Sequence, residues 1–255
     1  VLPYPIYVAV DPDGNVFVSL QDNLLRRIDA PTGLVSTVPG YNSRLTFYRE
    51  ARLYTRSGLA QLARVDIESG DRTPVAGSGS WGYNGDGIPA LEADLDAIGA
   101  FRFAPNGDLS LICNRGLVRR VDAATGLVQS IAGGESSSLA SGGIPQTVPA
   151  IGNYLDPWLL TVSGSTAMVG PFEGTGVARI DELTGRLHWQ LGVGPYEPRY
   201  LPDFPEVNVR ATSLEAGDDG NLYLGWRDRI LLARNVNRAP VPSAGGDRSI
   251  SCESS

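Results

Sequence analysis

The sequence predicts an all-β fold: a β-propeller of four-stranded antiparallel blades, about five of them recognisable. Three observations carry this prediction. The motif Arg-(Ile/Val)-Asp, with a Gly four residues after its Asp, occurs four times, reaching Gly33, Gly70, Gly126 and Gly185. A second turn signal stands fifteen residues ahead of the Asp position, with Gly14 before Asp29, Gly107 before Asp122 and Gly220 before Asn235. Between the turns lie short runs of alternating apolar residues, the period of a half-buried strand, and no segment sustains a helical period.

The repeating unit therefore reads strand, Asp-Gly turn, strand, loop, strand, Asp-x-x-Thr-Gly turn, strand. Asp and Asn side chains bond the backbone two residues on, and Gly adopts a positive φ without a Cβ clash. Five such units fall at about 6–40, 44–77, 98–133, 158–192 and 209–236. The first holds Asp13-Gly14-Asn15 and ends in Leu34-Val35-Ser36-Thr37-Val38. In the second, Glu50-Ala51-Arg52 replaces the Asp-Gly turn. The third holds Asn106-Gly107-Asp108 and ends in Leu127-Val128-Gln129-Ser130-Ile131. Ser163-Gly164-Ser165 makes the early turn of the fourth, which ends in Leu187-His188-Trp189-Gln190-Leu191. The fifth holds Asp219-Gly220-Asn221, but its Arg sits out of frame at Arg234-Asn235 and no Thr-Gly turn follows.

These residues resemble a known family. Val8-Ala9-Val10-Asp11-Pro12-Asp13-Gly14-Asn15-Val16-Phe17-Val18 is similar to the first half of an NHL repeat, and Val121–Gly133 to its second half. The stretch Ala76-Gly77 through Gly82-Tyr83-Asn84-Gly85-Asp86-Gly87-Ile88-Pro89-Ala90 resembles the connector of bacterial and teneurin-type NHL propellers. The likeness covers about residues 6–236. It implies a propeller, often of six blades, used mostly for binding and scaffolding. Asn237–Ile250 resembles the opening of a PKD-type, immunoglobulin-like module, so residues 237–255 are expected to form a linker and the first strand of that module. The expectation is then a fragment, a processed piece, or a ring completed from outside the chain.

Composition limits the function classes. The 255 residues are 42% hydrophobic and 19% charged, with 31 Gly and 18 Pro, which suits a turn-rich globular β protein. All 21 basic residues are Arg, read as a genomic composition bias. A net charge of −7 argues against nucleic acid and anionic membrane surfaces as partners. No apolar run is long enough for a membrane span. The likeness to strung surface modules implies a secreted or cell-surface setting.

Catalytic chemistry has little material. His188 is the only histidine, so neither a three-His zinc site nor a Ser-His-Asp triad at a propeller axis is indicated. Cys113 lies on an alternating strand and is expected to be buried; Cys252 lies in the terminal module. No catalytic residue, metal ligand or cofactor is assigned. The one enzymatic alternative is a calcium-assisted hydrolase or lyase at the channel mouth. There Asn42, Asp96, Asp156 and Asn208, each ahead of an inner strand, would offer oxygen ligands to Ca²⁺, as in gluconolactonase-like propellers.

The leading expectation is a non-catalytic recognition or scaffolding module that binds protein or glycan. Its candidate binding residues are Tyr196, Arg199 and Tyr200, in a segment with four prolines between the fourth and fifth units, and Trp81 and Tyr83 in the long connector. Tyr, Trp and Arg dominate interface energetics, and a proline-stiffened loop loses less entropy on binding. Trp158, Trp189 and Trp226 fall in or beside strands and are expected to pack between blades.

Overall fold

Asp-Gly and Thr-Gly turns punctuate the chain at short intervals, and antiparallel sheets follow from them. The computed structural model describes residues 4–39, 46–49, 52–113, 116–134, 147–149, 157–171, 176–183, 185–192, 213–217, 221–226, 229–233 and 252–254. Among these there are five antiparallel sheets and no α-helix. The first joins β1 (Pro5–Val10), β2 (Val16–Leu20), β3 (Leu25–Ile28) and β4 (Val35–Thr37) in sequence order. The second joins β5 (Thr46–Arg49), β6 (Arg52–Ser57), β7 (Gln61–Val65) and β8 (Arg72–Ala76) in the same way.

The third and fourth sheets depart from the four-stranded unit. β10 (Ile98–Phe103), β11 (Leu109–Cys113), β12 (Leu117–Val121) and β13 (Leu127–Ala132) meander as expected. A fifth strand, β9 (Ile88–Pro89), then adds to the outer edge of β13. In the fourth sheet, β15 (Pro157–Ser163), β16 (Thr166–Pro171), β17 (Gly176–Asp181) and β18 (Arg186–Gly192) are likewise extended by β14 (Thr147–Pro149) on β18. The first of these lies in the stretch expected to be a connector and the second falls between the expected units, because two or three residues carry no detectable period. The fifth sheet holds β19 (Ser213–Ala216), β20 (Leu222–Trp226), β21 (Arg229–Ala233) and β22 (Cys252–Ser254). Its last strand comes from the segment read as the start of another module, and Cys252 pairs with Ala233.

The fifteen-residue spacing has a physical cause. Asn15 Oδ1 accepts from the amide of Ala30 at 2.9 Å, and Asp108 Oδ1 accepts from the amide of Ala123 at 2.8 Å. Each side chain ties the turn after the first strand to the turn after the third. Asp11 in turn accepts from the Asn15 amide and Nδ2, both at 2.8 Å. All three are buried, so these bonds satisfy polar groups that would otherwise be costly. The repeated Asp in the later turn caps its own loop. The Thr32 hydroxyl, then its amide and Arg27, hold Asp29 below the usual carboxylate range. Asp66 is lowered first by the Ser69 amide, then by the Glu68 amide and by Arg64.

The chain separates into two compact units, residues 1–98 with 124–128, and residues 99–123 with 129–255. Within the first, Phe17, Leu25, Val38, Leu53 and Val65 form an apolar core. Within the second, Ala100, Ile112, Val118, Leu160, Val169, Ile180 and Leu187 lie in another. Cys113 is buried, as its place on an alternating strand led us to expect. The side chains of Trp158, Trp189, Trp226 and His188 lie outside the described residues.

Candidate functional site

Residues 77–95 form a long connector without regular strand apart from β9, yet it is closely tied down. The Gly77 amide donates to the Ala90 carbonyl at 2.7 Å, and the Ser78 amide to Ala93 at 2.8 Å. Asn84 bridges the loop: its Nδ2 donates to the Glu92 carbonyl at 2.9 Å, and its Oδ1 accepts from the Asp94 amide at 2.8 Å. The Ser78 hydroxyl donates to Asp94 Oδ1 at 2.6 Å and accepts from the Ser80 amide at 3.0 Å. Five glycines, Gly77, Gly79, Gly82, Gly85 and Gly87, take positive φ and allow the reversals.

This frame leaves two large aromatics outside. Trp81 is 60% exposed and Tyr83 is 51% exposed, although both are side chains that folding normally draws inward. Of the five residues selected from sequence as binding candidates, these two lie in the described residues, on one connector. Tyr196, Arg199 and Tyr200 lie outside the described residues.

Of the four candidate calcium ligands, Asn42, Asp156 and Asn208 also lie outside the described residues. Asp96 is described: it is 7% exposed and has φ of +54°, two residues before β10. That conformation is uncommon for a non-glycine residue, and Asp tolerates it better than most. The sequence marked Asp96 as a strand-start polar residue but carried no signal of its strained backbone. Among the described residues, no group of three or more His, Cys, Asp or Glu side chains is placed to hold a metal ion.

A cleft of about 530 Å³ opens in the first unit at the turn ends of its two sheets. Asp11, Asn15, Arg27, Arg52, Arg64 and Asp66 contribute to its walls. Two of its carboxylates are committed within the fold, Asp11 to Asn15 and Asp66 to the amides of Glu68 and Ser69. Arg27 lies 3.8 Å from Asp29. The cleft therefore reads as the structural underside of the repeat turns. No helix among the described residues is long and apolar enough to cross a membrane.

Comparison with known proteins places the fold. No family model and no curated protein matches the chain. Solved structures do. A structural-genomics protein provisionally assigned as a gluconolactonase is similar at a TM-score of 0.58 and 16% identity, over 92% of this chain and 74% of that one. A gluconolactonase from Xanthomonas campestris gives 0.57 and 14%, over 92% and 74%. The calcium-binding regucalcin of Agrobacterium tumefaciens gives 0.54 and 12%, over 93% and 73%. At these identities the likeness shows the fold alone: an all-β protein of the β-propeller type.

Proposed function

We propose that this chain is a recognition module in which Trp81 and Tyr83, held outward by the 77–95 connector, contact a protein or glycan ligand. The observation that supports the reading is a rigidly bonded loop presenting two exposed aromatics. A folded protein gains stability by burying such rings, and a frame this bonded has already lost the entropy that binding would otherwise remove. Indole and phenol rings serve both protein hot spots and stacking on sugar faces. The NHL-like turns support reading the sheets as NHL-type blades of a larger ring, and the PKD-like tail supports a secreted or surface multidomain setting. Tyr196, Arg199 and Tyr200 extend the proposed contact set.

The test is affinity capture and glycan-array binding with the parent and a Trp81→Ala/Tyr83→Ala variant. A ligand held by the parent is expected to be lost by the variant. Its unfolding free energy should stay within about 0.5 kcal/mol of the parent, as for surface positions. Equal retention by both proteins would remove the connector from the binding reading.

Asp96 favours a second reading, a calcium-assisted hydrolase or lyase, because a buried carboxylate in a strained conformation precedes an inner strand. The gluconolactonase and regucalcin likenesses point the same way. Under this reading, calcium at about 100 times its dissociation constant adds about 2.7 kcal/mol to stability. A rise in melting temperature with calcium, reversed by chelator and absent in Asp96→Ala, is its signature. Indifference to both calcium and chelator overturns it.

A further inference from the structure

The residue six positions after the repeated Asp occupies the same place on the outer strand of four sheets: Val35, Arg72, Val128 and Leu187. In the third and fourth sheets this residue is covered by an added strand. Val128 faces Ile88, with Leu127 beside Pro89. Leu187 faces Val148, with Arg186 beside Pro149. The covering strands are alike in sequence, with Ile88-Pro89 in one and Val148-Pro149 in the other, and each pair is followed by Ala in the sequence. Backbone bonds fix the first of them: the Gly87 amide donates to the Val128 carbonyl at 2.8 Å, and the Ala90 amide to the Gly126 carbonyl at 2.9 Å. Proline suits the added edge strand because its missing N–H removes no ladder bond needed elsewhere. Val128 and Leu187 are both fully buried.

The first sheet repeats the acceptor and lacks the cover. Thr32-Gly33-Leu34-Val35 matches Thr125-Gly126-Leu127-Val128 residue for residue. Here Val35 is 53% exposed and Leu34 is exposed beside it, and no strand among the described residues lies on the outer edge of β4. The second sheet carries Arg72 at this place, where a charged guanidinium replaces the branched aliphatic side chain of the other three sheets. An open strand edge with exposed aliphatics is a template for strand addition.

We infer that the outer edge of β4, centred on Val35, binds an extended segment of another polypeptide of the type (Ile/Val)-Pro-Ala. The carbonyls of Gly33 and Val35 accept its flanking amides, as Gly126 and Val128 do in the third sheet. The aliphatic residue of the segment covers Val35, and its Pro lies beside Leu34. This surface is separate from the Trp81–Tyr83 connector and does not depend on it.

The probe is a fluorescent peptide copying residues 84–92, Asn-Gly-Asp-Gly-Ile-Pro-Ala-Leu-Glu, titrated by anisotropy against the full chain. Binding is expected, weakened at least about ten-fold by Val35→Arg, which copies the residue of the second sheet. The same loss is expected when Asp replaces the peptide Ile. Hydrogen exchange should slow across residues 33–37. Val35 is exposed, so Val35→Arg is expected to keep the parent's melting temperature. No binding at the peptide's solubility limit overturns the inference, as does binding that Val35→Arg leaves unchanged. A Val35-dependent dimer of the chain alone, seen by sedimentation, would assign the edge to a second copy and overturn it too.

Discussion

Gly77→Ala is expected to destabilise the protein by about 3 kcal/mol or more, combining a strained backbone with overpacking. Gly77 has φ of +91°, and a Cβ there would lie 2.1 Å from the Ala60 carbonyl oxygen and 2.9 Å from Gln61 Cα. Both obstacles are backbone, so no side-chain rotation relieves them. The chain needs this approach because the Gly77 amide donates to Ala90 and begins the connector. Gly87→Ala is the control: φ is +73° but nothing lies within 4 Å of the added carbon, so only the positive φ costs, about 1 kcal/mol. Denaturant unfolding of the two variants separates the effects. Equal losses would show that the contact with Ala60 does not matter. Gly133 makes the same approach to the Gly116 carbonyl in the second unit, where the added carbon would come within 1.8 Å.

Arg120→Met is expected to cost about 2 kcal/mol, while Glu182→Gln is neutral or stabilising at neutral pH. Arg120 pairs closely with Glu182 and lies 4.0 Å from Asp108. Burial pushes the Glu182 carboxyl above its ordinary value, against the opposing pull of Arg120. Removing the Arg therefore strands a carboxylate that is already poorly solvated. The expected cost is below the roughly 3–5 kcal/mol of a fully buried pair. The two side chains retain 25% and 23% of their exposure, so water still screens them. The pH dependence follows from the sign of the shift. A raised carboxyl binds its proton more tightly in the folded state, so ionised Glu182 lowers stability as pH rises through the window above its ordinary value of 4.5. Any advantage of Glu182→Gln at neutral pH should thus vanish as the pH falls below that window. Urea denaturation at several pH values measures it, and an advantage that persists in acid would contradict the assignment.

Much of the fold was legible because each turn carries its own chemistry. Gly33, Gly126 and Gly185 take positive φ after a repeated Asp, and local residue type reports such a conformation directly. The Asn15–Ala30 and Asp108–Ala123 bonds explain why the spacing is so constant, since one side chain must reach across two turns. The added strands β9 and β14 were not legible. Their pairing is decided by an edge 37 or more residues further along the chain, and Ile88-Pro89 has no period of its own. The sequence likewise named Trp81 and Tyr83 but could not tell an exposed ring from one folded back onto the sheets. Their exposure is set by Asn84, Ser78 and Asp94, polar loop residues whose partners lie across the connector.

The sequence by itself determined the strand-and-turn repeat, because turn chemistry and side-chain alternation are local and act within a few residues. The tertiary structure alone decided which edges are covered, which aromatics face water and which carboxylates are desolvated. Those outcomes depend on packing between segments far apart in the chain, where burial and hydrogen-bond partners are shared among elements that no single stretch encodes.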